Sequence, residues 1–157
     1  MKARPVKGLD PDAPFRDNAQ TMAAVRISEL WALGERALDP AKKKALHDTR
    51  IAAKRLRYLL EITEPCFGAP AKKGAKTARQ LQDVLGEIHD CDVMGERVRA
   101  RADGVPVEDE RYVGLEALAS YLEARRRVLH RQYVQFWNRL EREGFRAGLV
   151  ESLGVPA

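Results

Sequence analysis

Long stretches with a helical repeat alternate along the chain with short ones rich in Pro and Gly, and none alternates residue by residue as a strand would. Residues 1–13 hold Pro, Gly and charge without periodicity and read as a flexible N-terminal arm. Residues 14–157 are expected to form one helical domain. Met22, Val25, Leu30 and Leu33, with Trp31 beside them, give the first apolar face and predict a helix from about Phe15 to Ala37. Asp39-Pro40 reads as a helix start, since Asp caps and Pro suits the first helical position. The second helix should then run to Glu64, before Pro65, with a loop at Phe67-Gly68-Ala69-Pro70. A third helix is expected from Ala71 to Ala100, with Gly74 and Gly86 weakening but not breaking it. After the Asp103-Gly104-Val105-Pro106 loop a fourth should span Glu108 to Glu143, with Leu115, Leu118, Leu122, Leu129, Phe136 and Leu140 at near-heptad spacing. Gly144 stops it, and the tail has room for one more helical turn. Four long helices with short connections predict an all-α antiparallel four-helix bundle.

Charge changes this picture by its order more than its amount. The 157 residues carry a formal net charge of +5. Between Pro40 and Arg79 stand 11 basic and 3 acidic residues, between Leu81 and Glu123 4 basic and 11 acidic, and between Ala124 and Arg146 7 basic and 2 acidic. Sorted blocks of this kind define a face for a polyanion. Cys66 and Cys91 form no CxxC and are too few for a disulfide framework, which suggests a reducing, cytoplasmic setting. No apolar segment follows the basic residues of Met1–Lys7 and no run has membrane-spanning length, so neither a signal peptide nor membrane insertion is expected.

On a helical wheel the second helix puts His47, Arg50, Lys54 and Arg57, with Glu61, on one stripe. Ala52, Leu56, Leu59 and Leu60 fall on the opposite, core-facing side, and Arg55 lies on the flank. Cations at these spacings repel. This helix also opens with Lys42, Lys43 and Lys44 and closes with Glu61 and Glu64, against the helix dipole. The third helix repeats the inversion, with Lys72, Lys73, Lys76 and Arg79 early and Glu87, Asp90, Asp92 and Glu96 late. The plain alternative is a solvated charged face. The double inversion favours an anion site, where a bound polyanion would remove the repulsion.

The string His47-Asp48-Thr49-Arg50-Ile51-Ala52-Ala53-Lys54-Arg55-Leu56-Arg57-Tyr58-Leu59-Leu60-Glu61 resembles the signature helix of the CHAD domain, the conserved-histidine α-helical domain. Leu81-Gln82-Asp83-Val84-Leu85-Gly86-Glu87-Ile88-His89-Asp90 resembles a second motif of that family, in the expected order, and the likeness covers roughly residues 16–143. The resemblance implies a fold of two four-helix halves and non-catalytic binding of inorganic polyphosphate along a basic groove. This chain has room for one half and looks like the C-terminal one, so a homodimer is expected to restore the pair. Carried over by motif position, the binding residues are His47, Arg50, Lys54, Arg55 and Arg57. Lys76 and Arg79 join them by charge order. Arg26 on the first helix and Arg126 on the fourth are further candidates. A place in the cytoplasm, at polyphosphate granules, would follow.

Competing readings remain at this level. A nucleic-acid-binding module would use the same basic blocks, although only Tyr58 interleaves an aromatic ring with them. A metal-dependent polyphosphate hydrolase would need carboxylates beside the cations, and Glu61 alone is too few. A protein scaffold is a third. His89-Asp90-Cys91-Asp92 offers ligand types at no standard metal spacing, so no metal or other cofactor is expected there. Arg125, Arg126, Arg127 and Arg131 read equally as a solvated face or as the far wall of the groove or a dimer contact. Trp31 and Trp137 are expected in the core or at an interface.

Overall fold

The computed structural model describes residues 2–155, so the first residue of the expected arm and the last two of the expected domain lie outside the described residues. The chain is all-helical: α1 Phe15–Gly34, a 3₁₀ turn Glu35–Leu38, α2 Lys43–Ile62, α3 Glu64–Phe67, α4 Ala69–Ala102, α5 Glu110–Arg142 and α6 Phe145–Leu153. Among the described residues there is no strand, and no helix is long and apolar enough to cross a membrane.

The differences from the expected boundaries have local causes. Pro40 does not open α2. The Asp39 carboxylate accepts the Ala41 N–H at 3.0 Å and its carbonyl accepts the Lys42 N–H at 3.1 Å, closing a turn that delays the helix to Lys43. The loop expected around Phe67 is largely helical. Thr63 hands the chain from α2 to the single turn of α3, with Pro65 in its first turn where a missing N–H costs little. Gly68 alone then redirects it, at φ 63° and ψ −134°, a conformation costly for any other residue. Gly144, at φ 60°, ends α5 as expected, and the tail is a nine-residue helix. The arm, expected to be loosely attached, is tied to α1. The Arg4 N–H donates to Glu29 Oε1 at 3.1 Å, and Asp10 and Asn18 exchange two hydrogen bonds.

Side-chain contacts give the packing directions. Arg55 on α2 meets Glu29 on α1, Arg125 and Arg126 on α5 meet Glu87 and Asp92 on α4, and Trp31 on α1 donates to Glu141 on α5. α4 packs along both α2 and α5, and α1 along α2. The buried face of α1 is narrower than its periodicity suggested. Ala19, Ala23, Ile27, Leu30 and Gly34 are buried, whereas Met22, Val25 and Leu33 are only partly so. Small residues let α1 sit close to its neighbours. At Gly34 the Trp137 ring lies directly on the helix, leaving no room for a Cβ. Tyr133 donates to Gly34 O at 2.9 Å and His130 Nε2 lies 3.1 Å from Ala37 O, so α5 meets a carbonyl at the end of α1 and another in the 3₁₀ turn. On α5 the core side chains are Ala119, Leu129, Tyr133, Trp137 and Leu140. Leu118, counted with the apolar face by spacing, points outward.

Candidate functional site: the seam between α2 and α4

Three contacts fix the register of the two motif helices. The His47 and His89 rings stand 5.2 Å apart, the Arg50 guanidinium crosses α4 at Gly86, and Leu60 packs against Gly74. Each step forward on α2 is a step back on α4, so the helices run in opposite directions and the motifs lie side by side. By the same register Lys54 is level with Gln82 and Arg57 with Arg79. A Cβ at Gly86 would stand in ordinary van der Waals contact with Arg50 Nε, at 3.5 Å, so the Arg50 side chain lies against the helix there.

The seam is cationic and sparsely neutralised. Arg50 is half-buried and Arg57 largely buried, and the Nε atom of each is fully buried with no hydrogen-bond partner among the described residues, as is Oε1 of Gln82 between them. Buried polar atoms are nearly always paired, so these three make the seam polar beneath its surface as well as on it. Among the described residues Arg50 enters no ion pair, and Arg57 Nε lies 3.7 Å from Glu61 Oε1. Lys54 is exposed, with Nζ 5.7 Å from the centre of the Tyr58 ring, and Arg57 lies over the same ring at 4.5 Å. Lys76 and Arg79 are exposed on α4 and enter no ion pair among the described residues.

Other cations singled out in the sequence lie elsewhere and are engaged. Arg55 points from the flank of α2 to α1, where its guanidinium stands 3.3 Å from the buried Glu29. Arg26 holds the other oxygen of that carboxylate at 2.7 Å and donates to Arg4 O at 2.9 Å. Both serve the α1–α2–arm junction, not the seam. Arg126 binds Asp92 at 2.7 Å and donates to Pro40 O at 2.9 Å, tying α5 to α4 and to the turn before α2. Arg125 holds Glu87 at 2.5 Å and Arg127 holds Glu123 at 3.2 Å. Arg125 and Arg126 thus link α5 to α4, and Arg127 pairs within α5.

Burial lowers the pKa of His47 below the usual imidazole range, with the neighbouring His89 adding to the effect and Asp48 opposing it. His47 therefore stands neutral at pH 7 beside Arg50. Among the described residues no three His, Cys, Asp or Glu side chains come close enough to hold a metal ion, and Cys66 and Cys91 are free thiols.

The family model described as the CHAD domain matches residues 2–99, more than half of the chain. The chain belongs to the CHAD domain family. No curated protein and no solved structure matches it significantly. The CHAD match takes in the arm, α1, α2, α3 and nearly all of α4, so both faces of the cationic seam fall inside it. It ends before α5, although the likeness read from motifs extended to about residue 143. Three residues of this CHAD seam were not singled out as site residues from the sequence. His89, Gln82 and Gly86 all sit in the second motif, and the signal that would have found them is an antiparallel pairing of the two motif helices.

Proposed function

We propose that the seam between α2 and α4 binds inorganic polyphosphate without cleaving it. The observation that carries this reading is the contrast between two sets of cations. Arg26, Arg55, Arg125, Arg126 and Arg127 each hold a carboxylate, whereas among the described residues Arg50, Lys54, Lys76 and Arg79 on two adjacent helices hold none. From His47 to Arg57 the row is about 15 Å long at 1.5 Å per residue. A linear polyanion lying along it would meet arginine forks and lysine point charges in turn. Family membership supports the same ligand, since CHAD domains are linked to polyphosphate in general. The non-catalytic reading rests on the make-up of the row, where Glu61 is the one carboxylate among the described residues within ion-pair reach of its arginines and Lys54. In this reading the four long helices form an antiparallel bundle amounting to half of a two-bundle architecture. The protein works in the cytoplasm at polyphosphate granules.

The decisive measurement is retention on immobilised long-chain polyphosphate across a salt series. The Arg50→Ala/Arg57→Ala double variant is expected to bind more weakly, with a slope against log salt shallower by about 2, by analogy with counterion release from nucleic acids. Retention and slope unchanged from the parent protein would remove the seam from the mechanism. A nucleic-acid module remains the competing reading, because the same row would track a phosphodiester backbone. Bound DNA or RNA that polyphosphate cannot displace at matched salt would favour it.

A further inference from the structure

The outward side of α5 carries an apolar stripe that the packing of the chain leaves uncovered. Val113, Ala117, Tyr121, Ala124 and Val128 are all exposed and follow one another at steps of four, four, three and four, which keeps them on one face. Val113 is 67% exposed, Tyr121 57% and Val128 44%, and Leu118 flanks them at 42%. The stripe runs for about 22 Å at 1.5 Å per residue. The buried side chains of α5, from Ala119 to Leu140, lie on the opposite face.

What would cover the stripe is written in its symmetry and its charges. Val113 and Val128 are equidistant from a point between Ser120 and Tyr121. So are Ala117 and Ala124, and so are Glu110 and Arg131. From Glu110 to Glu123 the helix carries three carboxylates and one arginine, and from Ala124 to Arg142 six arginines and one glutamate. Most of the arginines nearest the stripe are already paired within the chain, but Glu110, Glu116 and Arg131 enter no ion pair among the described residues. A parallel partner would set Arg131 against Arg131 and Glu110 against Glu110. An antiparallel copy of the same helix sets each against its opposite.

We infer that α5 is a self-association surface: two copies of this chain pack their α5 stripes antiparallel, about a twofold axis passing between Ser120 and Tyr121. The twofold makes the surface isologous, with Val113 against Val128 and Ala117 against Ala124 on both sides of the axis. Tyr121 from each copy meets at the centre. The apolar stripe supplies the driving force, and the acidic and basic halves fix the direction. The surface lies on α5, away from the α2–α4 seam, and does not depend on what the seam binds.

Sedimentation equilibrium of the full chain tests this directly. The wild type is expected to be dimeric at micromolar concentration. Tyr121→Glu, at an exposed position, is expected to give a monomer with unchanged helical circular dichroism and unchanged polyphosphate retention per chain. Arg131→Glu should weaken the dimer, and adding Glu110→Arg to it should restore association. Direction is read by crosslinking in a Cys66→Ser background: under mild oxidation Tyr121→Cys should form a disulfide-linked dimer, while Val113→Cys should not. A monomeric wild type at high micromolar concentration overturns the inference, as does a dimer that survives Tyr121→Glu. Crosslinking of Val113→Cys to itself overturns the antiparallel arrangement.

Discussion

Arg50 and Arg126 share a side chain and a motif-rich neighbourhood, and their surroundings give them opposite roles. Arg126 and Asp92 are both largely buried, and their bond holds α5 to α4. Removing the guanidinium in Arg126→Ala leaves the carboxylate with only Lys43, 3.5 Å away. It should cost about 3 kcal/mol, at the low end for a broken buried pair because Asp92 retains that neighbour. Thermal denaturation checks the loss, and the salt slope of polyphosphate binding should stay that of the parent protein. Arg50 has no carboxylate to lose, so Arg50→Gln should leave the melting temperature nearly unchanged and weaken binding. His47 adds a pH term with a definite sign. Its pKa is lowered in the folded chain, so protonating it disfavours the native state. The stability it contributes is complete above the unfolded pKa of about 6.5 and is lost as pH falls below that. A phosphate chain beside His47 acts the other way and favours the imidazolium. Protonation must also contend with Arg50 on α2 and His89 on α4, against Asp48 and Asp90. Polyphosphate affinity should therefore rise severalfold from pH 7.5 to 5.5, and His47→Asn should flatten that rise. Titration calorimetry in buffers of differing protonation heat would show proton uptake in the wild type and little in the variant.

At the level of elements, α2 carries a cost in its free state. Arg50, Lys54 and Arg57 repel one another at three- and four-residue spacing, with Glu61 near one end only. Lys54→Gln removes the exposed middle charge, and it should stabilise the unliganded protein by about 0.3–0.5 kcal/mol while lowering affinity. Chemical denaturation measures the first effect and retention the second; a destabilised variant would mean that the row is not under repulsion. This element was also the most legible in the sequence. Its core face and its stripe both follow from one helical period, and Ala52, Leu56 and Leu60 are buried as the wheel requires. Its first residue was not legible, because the Asp39 side chain chose a turn over a cap. The partners of Arg55 and Arg26 were hidden for a different reason. Glu29 lies on α1, 26 residues before Arg55, and only the docking of α1 on α2 brings them together. His89 and Gln82 were hidden likewise, since each belongs to the site through the register of α4 on α2 and not through its own helix.

At the scale of the whole molecule, the family match and the folding unit have different ends. The match stops at residue 99, inside α4, but the core does not. Trp137 and Tyr133 are among the largest fully buried side chains, and Leu129 and Leu140 join them. All four come from α5, and Trp137 rests on the bare backbone at Gly34. Each large side chain removed from such a core costs about 3–5 kcal/mol, and a domain's total stability is about 5–15 kcal/mol. A fragment of residues 2–102 would lose all four and expose the α1 and α4 surfaces beneath them. It is expected to lack a cooperative thermal transition and to bind a hydrophobic dye, even though it contains both motifs and every free cation of the seam. Gly34→Leu in the full chain should do much the same, since its side chain and the Trp137 ring claim one space. If the fragment melts cooperatively and is retained by polyphosphate as the full chain is, α5 is dispensable to the seam. If it fails in both respects, the cationic row has its geometry only because the α5 core side chains hold α1 and α4 in place.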